Sequence, residues 1–308
     1  MKFLGRQIKL NSIQNTFLKY TQTLRIHQWI KNVLVFVPML AAHQITTQNF
    51  SHSFYAFFSF CLIASSVYII NDLLDLKADR SHPYKKLRPF ASGKISVKSG
   101  IVIFFVLFFL GNSMSFSVGL NFFFLVSTYW MLAFIYSFLL KKILIVDIII
   151  LGVLYTLRIV GGSFATEIQI SFWLFAFSIF LFLSLAAVKR QSELVELKKR
   201  KKFKTIGRGY NINDLTLVTT ISLSAGFISV LIVGLYINSP DVLNLYSKPW
   251  TLGLSCLVLL FWIMKMVFAS SRGLIHLDPI VYALKDSISR LCFLAILFLI
   301  MINFVEWF

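Results

Sequence analysis

Long apolar stretches separated by short charged ones set the rhythm of this chain. No Lys, Arg, Asp or Glu occurs between Lys31 and Asp72, nor between Lys98 and Lys141, so each run has room for two crossings of about 20 residues. Further uncharged runs lie between Glu167 and Lys189, Asp214 and Asp241, Lys248 and Lys265, and Arg290 and Glu306, while 143–165 is apolar apart from Asp147 and Arg158. The pattern predicts about nine transmembrane helices, near 30–48, 52–73, 97–115, 118–139, 143–163, 170–190, 215–237, 250–269 and 287–306.

Composition turns these runs into bilayer spans rather than buried core helices. Hydrophobic residues make up 58% of the 308 positions and aromatic ones 16%, and the mean hydropathy is +0.80, above the apolar share of an ordinary soluble domain. The expected fold is therefore an all-α polytopic membrane protein. Residues 1–29 contain basic residues but no continuous apolar core of a signal peptide, and read as an interfacial N-terminal arm. Cys61, Cys256 and Cys292 fall inside predicted spans without metal or redox spacing, which fits packing. No composition break or strong internal repeat divides 1–308, so one integral domain is expected.

Charge orients the bundle. Of the 30 Lys and Arg residues, 28 lie in the N-terminal segment or in alternate loops, leaving Arg158 inside a span and Lys248 in an opposite loop. The positive-inside rule places that set, with the N-terminus, on the cytoplasmic face of a bacterial cytoplasmic membrane. The net charge of +18 is spread over short inter-span loops and carries no nucleic-acid-binding module, so no nucleic acid partner is expected. Anionic lipid headgroups and anionic substrates suit it better. Homo-oligomerisation is left open.

The densest chemistry follows the second span, in NDLLDLKADRSHPYKKLRPFASG at 71–93. If the helix runs on through Asp79, then Asp72, Asp75 and Asp79 at i, i+3 and i+7 share one face. Three adjacent carboxylates repel unless a cation neutralises them, and an oxygen-only set suits Mg²⁺ with substrate phosphates; the bland alternative is a solvated helix end paired to Lys77 and Arg80. Arg80, His82, Lys85, Lys86 and Arg88 come next, with Pro83 and Pro89 shaping the loop, and together with the aspartates they make a candidate polyphosphate clamp.

A second basic loop, KRQSELVELKKRKKFKTIGRGY, follows the sixth span. Lys189, Glu193 and Glu196 share a face and Arg190 reaches Glu193, so the inner part is expected to be ordered and the outer KKRKK run solvated near lipid headgroups. Asp147 and Arg158 lie about three turns apart on the fifth span. Arg158 is costly in lipid and marks either an anion site or a structural pairing.

These blocks resemble a known family. NDLLDLKADR resembles the NDxxDxxxD signature, opened here by Asn71, of the UbiA superfamily of intramembrane prenyltransferases. RIHQWIKN, DRSHPYKKLRPFASG, DIIILGVLYTLRIVGG, KRQSEL and RGLIHLDPIVYALKD look like its decaprenyl-phosphate phosphoribosyltransferase branch, spanning Arg25 to Asp286. The resemblance implies a UbiA-like bundle with a central lipid-accessible cavity, Mg²⁺ held by Asp72, Asp75 and Asp79, and transfer of a 5-phosphoribosyl group from phosphoribosyl diphosphate to a polyprenyl phosphate for cell-envelope glycan precursors. Lys85, Lys86 and Arg88 would face the donor; Arg25, Lys31, Arg158, Lys189 and Arg190 would serve donor or lipid phosphate. Aromatic prenyltransferases carry a second aspartate-rich motif where this chain has KRQSELVEL, so a second metal site of that kind is not expected. Prenyl transfer to an aromatic acceptor and anion transport are the competing readings.

Overall fold

The computed structural model describes residues 19–81, 85–204, 207–240, 242, 246, 248–276 and 278–302. His82, and residues 1–18 of the expected N-terminal arm, therefore lie outside the described residues. The chain enters through a 3-10 segment, Ile26–Phe36, and continues as α1 (Val37–Ala41), α2 (Thr47–Leu74), α3 (Leu76–Arg80), α4 (Val97–Val118), α5 (Leu120–Phe138), α6 (Val146–Thr166) and α7 (Phe172–Lys199). Then come α8 (Leu215–Tyr236), α9 (Trp250–Ser271), α10 (Pro279–Lys285) and α11 (Ser287–Met301). Local sequence explains many of the starts: Thr46, Ser96 and Ser171 each accept a backbone N–H three residues on, at 3.1 Å, capping α2, α4 and α7.

Among the described residues seven helices, α2 and α4 to α9, are long and apolar enough to cross a membrane. The expected count of nine is thus not confirmed at its two ends. The first expected span, 30–48, is instead the 3-10 segment followed by five-residue α1; its Lys31 and Asn32 turn inward to partners in the bundle, and Pro38 sits in the first turn of α1, where a missing N–H is tolerated. Of the ninth, 287–306, the described residues hold α11, whose 15 residues rise about 22 Å against a hydrocarbon core of about 30 Å, while 303–306 lie outside the described residues.

Small residues let the helices approach. A Cβ on Gly162 would stand 2.0 Å from the Val35 carbonyl oxygen, so the entry segment crosses α6 at a point only glycine permits. Ser184 and Ser222 donate to each other's backbone carbonyls at 2.7 and 3.2 Å, fastening α7 to α8. Phe60, Phe122, Leu125, Tyr129 and Leu154 pack as the core between α2, α5 and α6. Side chains such as Phe109, Leu217, Leu257 and Phe298 point outward, the apolar exterior that a lipid solvent requires.

The ends of the bundle sort as the charge pattern predicts. Arg25, before the entry segment, touches Asp72 at the end of α2, whereas His43, at the other end of that hairpin, packs on Tyr246 in the α8–α9 connection. The basic loops after α2, α5, α7 and α9 gather at the Arg25 end.

Candidate active site

A polar cavity of about 390 Å³ opens at that end, between the entry segment, α2, α5, α6, α7 and the approach to α10. Its described lining holds eight Lys or Arg residues against four Asp or Glu residues, an excess suited to a polyanion. Three groups of side chains form it.

The first lies at the end of α2. Asp72 is buried, and its Oδ1 accepts from Arg25 Nη2 at 2.5 Å and Arg88 Nη1 at 3.1 Å; that same Arg88 nitrogen donates to Asp79 Oδ2 at 2.7 Å. Two carboxylates therefore converge on one positive centre supplied by the protein. Arg25 reaches there from a left-handed backbone, φ 51° and ψ 47°, uncommon outside glycine, and its guanidinium lies 5.2 Å from the Tyr68 ring. Asp75 behaves differently. It is the C-cap of α2, and Lys141 Nζ binds its Oδ2 at 3.2 Å and Asn71 Oδ1 at 3.2 Å.

The expectation of an unbroken helical face through all three aspartates is corrected here. The helix is interrupted at Asp75, Lys141 draws that side chain towards the cavity, and among the described residues no three His, Cys, Asp or Glu side chains gather as a metal site. The donor chemistry nonetheless fits a hard divalent ion: Asp72 and Asp79 supply oxygens only and already enclose a cation, the Arg88 guanidinium.

The second group is deeper. Asp278, 8% exposed, accepts from Lys31 Nζ at 2.6 Å, Tyr155 OH at 3.1 Å and Lys189 Nζ at 3.3 Å on its Oδ2. Burial alone would raise its carboxyl pKa, but the two ammonium groups outweigh burial and hold it well below the usual carboxylate range. Arg158, 4% exposed, donates from Nε to Asn32 Oδ1 at 2.7 Å, from Nη2 to Tyr129 OH at 2.7 Å, and from Nη1 to the Leu154 carbonyl. The third group surrounds Asp147, which is fully buried. Tyr136 OH donates to its Oδ1 at 2.7 Å, Arg208 Nη1 at 2.9 Å, and Arg190 pairs with it from behind; Arg190 and Arg208 also bind Glu193.

The structure thus brings Arg25, Lys31, Asn71, Asp75, Lys85, Arg88, Arg158, Lys189 and Glu193 to the cavity wall, with Asp72, Asp79, Asp147 and Arg190 directly behind it. Arg80 and Lys86 are not brought there. Both are exposed, and Arg80 Nε reaches the Ala91 carbonyl at 3.4 Å. In the tight turn at Lys85–Leu87, Lys85 and Arg88 fall three residues apart on one side, which turns Lys86 away. Arg158 pairs with neutral groups, not with Asp147.

Asp278, Tyr155, Tyr129, Lys141 and Arg208 are site residues that sequence reasoning did not single out. Asp278 precedes Pro279 and caps α10, accepting from Ile280 N–H at 3.2 Å, so its sequence signal reads as a helix start. A second, mostly apolar cavity of about 640 Å³ lies towards the opposite end, between α7, α8, α9 and α11, and contains none of the predicted site residues.

The fold and the cavity define an integral membrane protein with a cation-rich cavity inside a helical bundle. The model of the UbiA prenyltransferase family matches residues 32–274, and the chain belongs to that family. It is 34% identical over 280 residues to nodulation protein NoeC of Azorhizobium caulinodans, covering 91% of each chain. To decaprenyl-phosphate phosphoribosyltransferase of Mycolicibacterium smegmatis it is 30% identical over 291 residues, covering 89% of this chain and 88% of the other. A UbiA homologue from Archaeoglobus fulgidus bound to GPP and Mg²⁺ shares the fold, with a TM-score of 0.69 at 16% identity over 92% of this chain and 99% of that one.

Proposed function

We propose that this protein transfers a 5-phosphoribosyl group from phosphoribosyl diphosphate to a polyprenyl phosphate, releasing diphosphate, in the cytoplasmic membrane of a bacterium. The observation that carries this reading is the cavity's balance of charge, eight cations against four carboxylates, in a site where α7 presents Lys189, Arg190 and Glu193 instead of a second aspartate cluster. Two anions, a soluble diphosphate and a lipid phosphate, need that excess. Similarity to the phosphoribosyltransferases supports the same substrate pair.

In the proposed step, an oxygen of the lipid phosphate attacks the anomeric carbon of the donor. The new C–O bond forms as the C–O bond to diphosphate breaks, and the electron pair leaves with diphosphate. The nucleophile is already ionised near neutral pH, so the protein's work is positioning and charge stabilisation. Asp72 and Asp79, with Asp75 from the cavity side, would hold Mg²⁺, which when bound supplies Lewis-acid stabilisation of the departing diphosphate. Arg88 and Lys85 grip donor phosphates, and Lys141 fixes Asn71 and Asp75 in place.

Incubating the purified protein with ribose-labelled phosphoribosyl diphosphate, polyprenyl phosphate and Mg²⁺ should move label into the lipid phase. If the lipid stays unlabelled while a polyprenyl diphosphate and 4-hydroxybenzoate give a prenylated ring, aromatic prenyl transfer replaces this reading.

A further inference from the structure

The apolar cavity of about 640 Å³, at the end opposite the charged site, is built for a different kind of molecule. Its wall comes from the ends of helices: Leu252, Ser255 and Leu259 on one face of α9, Val233 and Tyr236 at the close of α8, and Ile300 at the close of α11. Leu259 lies nine residues into α9, about 14 Å of rise, so the cavity is as deep as one leaflet of a hydrocarbon core about 30 Å thick. The Ser255 hydroxyl on that wall already donates to the Thr251 carbonyl at 3.2 Å and asks nothing polar of an occupant.

The edge of the cavity is polar and carries one sign of charge. Gln44 follows α1, Glu167 ends α6 and Gln169 lies in the α6–α7 connection, and all three are exposed. The rings of Trp173 and Tyr236, 6.2 Å apart, line the same cavity, and such residues mark the level where hydrocarbon gives way to headgroups. Among the described lining residues there is no Lys, Arg, His or Asp, so Glu167 supplies the only charge. Its backbone is left-handed, φ 57° and ψ 15°, where a helix end more often has glycine or asparagine, so a carboxylate stands here against the ordinary preference of the chain.

The two cavities share no described lining residue. A packed layer runs between them: Tyr155, on the polar side, joins Ile159, Phe182 and Leu185, each at most 6% exposed, to Ile170 and Leu174 on the apolar side. Packed side chains thus shut off the apolar cavity from the tail of a lipid held in the polar one.

We infer that the apolar cavity binds a membrane phospholipid of the leaflet opposite the charged site, one with a zwitterionic, ammonium-bearing headgroup. One acyl chain fills the apolar wall, the ammonium meets the Glu167 carboxylate, and the lipid phosphate stays in water at the edge. A phospholipid of net negative charge would set that charge beside Glu167 with no lining cation to offset it, so the site selects against it.

The test uses the full chain, delipidated in detergent, with phosphatidylethanolamine or phosphatidylglycerol brominated on the acyl chain as quencher of tryptophan fluorescence. The part of the quenching that disappears in Trp173→Phe reports the cavity. That part should saturate at a phosphatidylethanolamine concentration at least about threefold lower than for phosphatidylglycerol, the size of an exposed ion pair. Glu167→Gln should remove the preference, and Ser255→Phe, which fills the cavity at mid-depth, should abolish quenching of Trp173 by either lipid. Unbrominated geranylgeranyl phosphate should leave the quenching in place. The inference is overturned if wild-type Trp173 is not quenched, if phosphatidylglycerol serves equally well, if Glu167→Gln keeps the preference, or if folded Ser255→Phe keeps the quenching. Relief by geranylgeranyl phosphate would overturn it too, since the cavity would then hold the tail of a lipid phosphate. Glu167 is exposed, so the wild-type and Glu167→Gln measurements decide the matter even where Ser255→Phe does not fold. No readout involves phosphoribosyl diphosphate, and the site stands or falls apart from the proposed reaction.

Discussion

Asp72 and Asp75 are three positions apart, yet they occupy different physical worlds. The Asp72 side chain is 4% exposed and bound to two arginines, whereas that of Asp75 is 36% exposed and meets Lys141 at 3.2 Å. Asp72→Asn should therefore destabilise the protein by about 1–3 kcal/mol, because it leaves Arg25 and Arg88 short of a counter-charge. Asp75→Asn should cost less, about 0.5–1 kcal/mol, because its pair with Lys141 is only partly buried. Both should nearly abolish turnover if the carboxylates hold the metal. Thermal unfolding of the two purified variants beside the radiolabel assay separates these effects, and equal loss of stability would contradict the burial argument. The spacing of these aspartates was legible from the sequence, because helical geometry links neighbours. Their partners were not, since Arg25 lies 47 positions from Asp72 and Lys141 lies 66 from Asp75, distances over which only the packed bundle decides.

Elements meet at Asp278, which ties the entry segment through Lys31, α6 through Tyr155 and α7 through Lys189 to the start of α10. Its carboxyl, held below the usual range, contributes stability that is fully present above the unfolded value of about 3.9 and is lost as pH falls towards the folded value. Thermal midpoints of the detergent-solubilised wild type should drop between about pH 5 and pH 3 more steeply than those of Asp278→Asn. Parallel curves would mean that the link carries no net charge energy. The variant should also be less stable at pH 7, where the buried Lys31 and the half-buried Lys189 lose their partner. At this scale hydropathy located the seven long helices well, and the i, i+4 and i+7 pattern of Lys189, Glu193 and Glu196 correctly anticipated an ordered start to the second basic loop, in which α7 runs on to Lys199. It failed at the entry segment because an uncharged run was read as lipid-facing, although Lys31 lines the cavity and Asn32 is buried against Arg158. Hydropathy sums a window; the wall is built by single polar residues inside it.

At the scale of the whole molecule, 28 of 30 Lys and Arg residues fall in the N-terminal segment or in and beside alternate inter-helix connections along the sequence, and the connections after α2, α5, α7 and α9 contribute to one cavity mouth. Charge bias along the chain and the lining of the cavity thus draw on the same residues, which is why the sequence alone could point to the cavity's end but could not say how its cations group there. Five long helices, α4 to α8, lie between Ser92 and Asn238. An odd number of crossings puts these two exposed positions on opposite faces whatever the orientation, and the positive-inside rule assigns Ser92 to the cytoplasm. With Cys61 and Cys292 buried and Cys256 half-buried, a membrane-impermeant maleimide should label the parent chain weakly. Ser92→Cys should then react only in inside-out vesicles and Asn238→Cys only in intact cells. Labelling of both from one face would mean that one of the five helices does not span. Opposite faces in the reversed sense would instead leave the bundle intact and place the cavity mouth outside the cell, where no phosphoribosyl diphosphate pool would reach it.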